Sequence, residues 1–173
     1  YLPLADALAI AFVMPFIMLL LGHYLMNEEV GAARMWACAV GFIGTLLVIQ
    51  PNFAQVGWPA LLPLGVAVIF ALFMMVTRKI AKQMDPIKLQ AISGIQASAI
   101  LIPILVLVPN TAMTTLQMPG TSTIGLLFLL GGLGTAAHLA MTWSLRLAPA
   151  STLAPMQYLE IPIGTVIGYL IFQ

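Results

Sequence analysis

Six apolar stretches of membrane-spanning length, joined by connections too short to fold alone, constrain this 173-residue chain more than any motif does. A helical span needs about 20 apolar residues, and the runs at 4–26, 33–49, 58–77, 87–108, 123–145 and 152–172 qualify; we label them A to F. The connections carry turn formers, as in NEEVGAA, QPNFAQVG and VPNTAMTTLQMPGTS. In hydrocarbon the backbone must satisfy its own donors and acceptors, so the expected fold is all-α, a polytopic transmembrane helix bundle. Only 6% of residues are charged, against roughly 25% in a soluble domain, which excludes a water-soluble fold. Recurrence of apolar runs along the whole chain also excludes a single leader or anchor. The first residue is Tyr1, and Gln173 follows an apolar run with no charged anchor. Both ends are those expected of a fragment, so six spans is a lower limit.

Charge sets an expected orientation. If the spans alternate in direction, Arg34, Arg78, Lys79, Lys82, Lys88 and Arg146 all fall on one side, and they are all six basic residues. By the positive-inside rule that side, including the Arg78–Lys88 loop, is cytoplasmic and A enters from outside. Tyr24, Trp36 and Trp143 then lie near the inner interface and Trp58 near the outer one, where amphipathic rings reside. A net charge of +1 argues against a nucleic-acid partner. The single Cys38 excludes an internal disulfide and reads as a small packing residue. No cofactor or metal motif occurs.

Segments A and F match weakly at a constant offset, pairing Pro3 with Pro149, Ala5 with Ser151, Phe12 with Tyr158, Gly22 with Gly168 and Asn27 with Gln173. Since A would run inward and F outward, the match suggests an inverted-topology repeat with a site near the midplane; chance similarity of two apolar segments is the alternative. The residue after Gln173 would then correspond to Glu28, and an acidic residue is expected there.

Two runs resemble a known family. PLADALAIAFVMPFIMLLLGHYLMNEEVGAARMWACAVGFIGTLLVIQP is similar to the last two spans of one repeat of the drug/metabolite transporter superfamily, the EamA-type carriers. LRLAPASTLAPMQYLEIPIGTVIGYLIF resembles the ninth span of the same family, most specifically in the Ala-Pro-x-x-Tyr-Leu-Glu-x-Pro run from Ala154 to Pro162. The resemblance implies ten spans in two inverted halves. Residues 1–50 would supply the last two spans of the first half and residues 57–173 the first four of the second, with the tenth missing. It also implies a carrier of small metabolites in a bacterial plasma membrane, with S-adenosylmethionine or riboflavin importers among its relatives.

Candidate site residues cluster on three segments. Glu160 is a carboxylate in the middle of F, where an uncompensated charge costs at least ~2.5 kcal/mol. It shares a helical face with Gln157, Gly164 and Gly168, beside Tyr158. Read functionally, Glu160 binds a cationic group or exchanges a proton; read structurally, it is paired with a polar neighbour and the glycines form a helix contact. Pro155 and Pro162 bracket it, and each is expected to kink its helix and free a carbonyl, with Pro15 in A and Pro103 in D in a similar part. On E, Thr135 and His138 lie on a polar stripe with Gly131 and Thr142, and His138 suits either a proton relay or an interhelical hydrogen bond. On D, Gln90 and Ser93 share a face. Asp6 is a gate residue or a solvated interfacial one. Glu28 and Glu29 read as structural partners of Arg34.

The resulting expectation is a secondary transporter, not an enzyme, working by alternating access on a small molecule, with proton coupling as a finer inference. An intramembrane enzyme is the alternative, but no nucleophile-and-base or zinc motif is present. A non-transporting scaffold or channel subunit is a further alternative.

Overall fold

The computed structural model describes residues 3–52, 57–107 and 120–172. Gln173, the end of segment D at 108 and parts of the B–C and D–E connections lie outside the described residues. Every regular element described is helical. They are α1 (Leu4–Ala11), α2 (Met14–Met26), α3 (Ala32–Ile49), a 3-10 turn (Trp58–Ala60), α4 (Leu61–Ala81), α5 (Pro86–Leu107), α6 (Thr121–Leu147), α7 (Ala150–Leu153), a 3-10 segment (Ala154–Leu159) and α8 (Glu160–Phe172).

Five of the six expected spans are long, apolar helices: Leu4–Met26, Ala32–Ile49, Trp58–Ala81, Pro86–Leu107 and Thr121–Leu147. Segment F is built in three pieces, α7, the 3-10 segment and α8. Laid end to end its pieces reach about 37 Å, so a broken F still has the length to cross a hydrocarbon core of about 30 Å. Large apolar side chains are widely exposed, among them Leu62, Leu126 and Leu170. On a soluble protein such a surface would be a liability; here it matches lipid.

The chain divides into two compact units, Tyr1–Lys79 with Leu145–Gln173, and Ile80–Ser144. In the first, the core is formed by Met18 and Leu19 of α2, Cys38 of α3, Leu145, Ala150, Ala154 and Tyr158, together with Ala67, Ala71, Met74 and Met75 of α4. The α4 positions recur at helical spacing, and Arg78 continues the same buried stripe one turn on. The second unit holds α5 and most of α6. Asp85 starts α5 by accepting the backbone N–H of Ile87 at 3.0 Å and of Lys88 at 3.3 Å, with Pro86 in the first helical position.

Segments A and F share an architecture at the residue level. Each starts on a proline cap of nearly identical geometry, Pro3 at φ −56, ψ 143 and Pro149 at φ −57, ψ 142. Ala7 donates to the Pro3 carbonyl at 3.1 Å and Leu153 to the Pro149 carbonyl at 3.2 Å. Each then ends in a 13-residue helix, α2 from Met14 and α8 from Glu160. These equivalences hold the offset of Phe12 to Tyr158, 146 residues. The two breaks therefore fall in register.

Pro15 explains the break in A. It has no N–H to give Ala11, and Phe16 donates instead to Val13 at 3.0 Å, which leaves the Phe12 carbonyl without a helical donor. The Tyr158 hydroxyl fills that vacancy at 2.9 Å, and the two rings stack with centroids 6.0 Å apart. Gly41 of α3 permits the arrangement, since a Cβ there would overlap the Tyr158 ring. A buried carbonyl stripped of its donor costs about 1–3 kcal/mol. Tyr158→Phe is accordingly expected to lower stability by about that amount in thermal or denaturant unfolding in detergent, and Gly41→Leu by more; unchanged stability in Tyr158→Phe would remove this bond from the fold's support.

Candidate functional site

The crossing of A and F is the most chemically loaded region of the first unit. Contacts run antiparallel: Gly22 lies beside Ser151, Met18 beside Gln157 and Phe12 beside Tyr158. Gln157 Nε2 donates to Met18 Sδ at 3.1 Å, while its buried Oε1 accepts no hydrogen bond among the described residues. Glu160, the first residue of α8, is exposed and makes no hydrogen bond or ion pair among them. A groove of about 610 Å³ between α3 and F is lined by Trp36, Gly41, Thr45, Pro155, Tyr158 and Pro162, among others.

A buried charge cluster closes one end of this crossing. Asn27 ends α2 in the left-handed conformation at φ 51, turning the chain so that Glu28 points back inward. Its carboxylate accepts the backbone N–H of Ala150 at 3.1 Å and of Ser151 at 2.8 Å, the first free donors of F. Arg78 Nε lies 2.6 Å from Glu28 Oε1, with both side chains 7% exposed; it lacks an aligned hydrogen bond, so the contact is a charge pairing. The same guanidinium donates to the carbonyl of Leu145 at 2.8 Å and to that of Ala148. Each charge thus faces the end it complements, the cation at the C-terminal carbonyls of α6 and the anion at the N-terminal amides of F. Around them, Arg34 donates to Ser151 Oγ at 2.9 Å and to the Glu29 carbonyl, and His23 Nδ1 lies 3.2 Å from the Glu28 carbonyl.

Burial acts to raise the Glu28 pKa, but hydrogen bonds from Ser151 and Ala150 and the Arg78 charge outweigh it, leaving the carboxyl below its ordinary 4.5. At the opposite end Asp6, buried at 2% exposure, accepts the backbone N–H of Asn52 at 2.6 Å and ties A to the end of α3.

Residues 57–173 match the model of the EamA-like transporter family, more than half of the chain. The chain belongs to that family. This EamA-family chain is 30% identical over 173 residues to a riboflavin transporter of Rhizobium johnstonii, with 98% of this chain and 54% of the relative covered. It is 25% identical over 171 residues to an S-adenosylmethionine uptake transporter of Rickettsia prowazekii, covering 99% and 56%. A riboflavin transporter of Vibrio cholerae is 25% identical over 174 residues, covering 98% and 55%. The chain spans about half the length of these curated relatives. No solved structure matches it significantly. Family membership and five long apolar helices make it an integral membrane protein.

Within the EamA-family chain the sequence-predicted residues divide between the two units. Gln157, Tyr158 and Glu160 belong to the first; Gln90 and Ser93 on α5, with Thr135 and His138 on α6, belong to the second. Thr142 donates its hydroxyl to the His138 carbonyl at 2.8 Å. Pro162 sits in the first turn of α8, directly after the 3-10 segment, as Pro15 sits in the first turn of α2 directly after the break in A. Two expectations need correction. Asp6 is buried and hydrogen-bonded where a solvated interfacial carboxylate was one expectation. Glu28 pairs with Arg78 and the start of F, not with Arg34. Arg78 enters the sequence-based expectations only through orientation and Ser151 only through the repeat match, neither as a site residue; the available signal was an arginine on the same helical stripe as Ala67, Ala71 and Met74, a position that buries it.

Breaking a buried ion pair costs about 3–5 kcal/mol, so Glu28→Ala is expected to destabilise the detergent-solubilised protein on that scale. The exchanged pair Glu28→Arg with Arg78→Glu is not expected to recover it, because each charge would face the wrong helix end. A depressed carboxylate pKa stabilises above the ordinary value of 4.5 and loses that contribution as pH falls through the lower folded value. The wild-type advantage over Glu28→Gln is therefore expected to be flat from pH 8 to about 5 and to shrink below about 4 in pH-dependent unfolding. An advantage that titrates near pH 7 would contradict this assignment.

Proposed function

We propose that this chain forms the larger part of a secondary transporter that moves a small metabolite across a bacterial plasma membrane by alternating access. The observation that carries the reading is the pair of broken segments, A and F, interrupted in the same register and meeting at their breaks. Transporters build sites where discontinuous helices from inverted repeats meet near the midplane. Residues 1–50 and 57–173 would then belong to the two inverted halves, with the basic end and the Arg78–Lys88 loop facing the cytoplasm. Uptake of a fused nitrogen heterocycle is the favoured cargo class, since the similar proteins are named for riboflavin and S-adenosylmethionine.

Glu160 is the leading site residue. It is a carboxylate exposed on a membrane-spanning segment, without a protein partner among the described residues, a position tolerated when it faces a water-filled or ligand-filled cavity. It binds a cationic or donor group of the cargo, or takes up a proton as the cavity changes its exposure. The buried Oε1 of Gln157, one turn away and without a partner among the described residues, supplies a second acceptor. Tyr158, committed to the Phe12 carbonyl, positions F rather than binding cargo. Thr135, His138, Gln90 and Ser93 are candidates for the remaining cavity wall. The test is uptake of labelled riboflavin and S-adenosylmethionine by cells expressing the protein. Glu160→Gln is expected to abolish uptake or its pH dependence while membrane insertion persists; unchanged, still pH-dependent uptake would remove Glu160 from the mechanism.

A further inference from the structure

The A–F crossing is closed at one end and open at the other, although the two segments are built alike. At the basic end Glu28 holds the first amides of F, and a Cβ on Gly22 would lie 3.8 Å from Ser151 Cβ. Carrying that contact through the 146-residue equivalence of A and F gives a second pair, Ala5 with Gly168. Among the described residues this counterpart is not made: Ala5 is exposed, and a Cβ on Gly168 would meet none of them within 4 Å. The carboxylate at that end, Asp6, ties A to the end of α3 rather than to F. Nearly all of α8 is exposed, whereas Ala150, Ser151 and Ala154 at the start of F are buried.

The asymmetry lies in the side chains and not in the backbone plan. Glu28 and Arg78 lie in sequence on different spans and meet only because both grip the turn between α6 and F. We propose that the Glu28–Arg78 pair is a latch that shuts the basic end of the A–F crossing, and that its release lets Ala5 close on Gly168 at the other end. This rests on the transport reading, and it adds to that reading the contacts that distinguish the two states. Half-buried Arg34, bonded to the buried Ser151, is the secondary clasp.

Two cysteine pairs test it in a Cys38→Ala background in native membranes. Gly22→Cys with Ser151→Cys has the Cβ separation a disulfide needs, and Ala5→Cys with Gly168→Cys marks the opposite state. Glu28→Gln is expected to lower the yield of the first crosslink and raise that of the second, each by on the order of tenfold. With Glu28 intact, oxidation of the first pair is expected to abolish riboflavin or S-adenosylmethionine uptake, and a reductant to restore it. Unchanged yields of both crosslinks in Glu28→Gln, or full uptake with the first pair oxidised, would overturn the latch. A cysteine at 22 brings its Cβ within 3.1 Å of Glu28 Oε2. Should that variant not fold, the Ala5–Gly168 pair alone decides, and no gain in its yield on Glu28→Gln overturns the proposal. Crosslinking needs no cargo. A shift in yields with no uptake of either compound by the wild type would therefore count against the transport reading and retain the latch.

Discussion

A polypeptide in hydrocarbon cannot leave a carbonyl to water, and the first unit is arranged around one carbonyl that its own helix cannot satisfy. Pro15 deprives the turn before it of a donor, and the Tyr158 hydroxyl supplies one from a segment 146 residues away. That bond needs Gly41 to leave room for the ring and needs F to be interrupted near Tyr158. A broken helix is costly alone; two broken helices that meet at their breaks compensate each other. The same geometry exposes Glu160 at the start of α8 and leaves Gln157 with a buried acceptor.

Electrostatics then distinguishes the two ends of the crossing. Arg78 and Glu28 are buried together, yet neither depends on the other alone, since each also matches the partial charge of a helix terminus. A bare buried ion pair is weak support for a fold, because desolvation offsets its attraction. Hydrogen bonds to several backbone groups change that balance, and they make the cluster specific to one packing of A on F. At the other end the Asp6 carboxylate joins A to the end of α3.

Much of this architecture was legible in the sequence. Apolar run lengths identified the spans, because lipid sets a length and little else does. The Phe12–Tyr158 equivalence was visible as a weak match, and its meaning as a contact between two breaks required coordinates. Pro155 and Pro15 signalled irregular helix, whereas the six-residue 3-10 stretch packs against α3 and α2, contacts that no local pattern announces. Least legible was the charge cluster. Glu28 and Arg34 are near neighbours in sequence, so local reasoning pairs them, but the left-handed Asn27 turns Glu28 away toward Arg78. Long-range pairing of two charges leaves no periodicity to read.

The most direct test of the antiparallel arrangement of A and F is sided labelling of single cysteines with an impermeant maleimide in intact cells. Glu29→Cys after A and Leu147→Cys before F should be protected until the membrane is permeabilised, while Asn52→Cys after α3 should label from outside. Labelling of Glu29→Cys and Leu147→Cys from opposite faces would contradict the inverted pairing on which the site and the latch both rest.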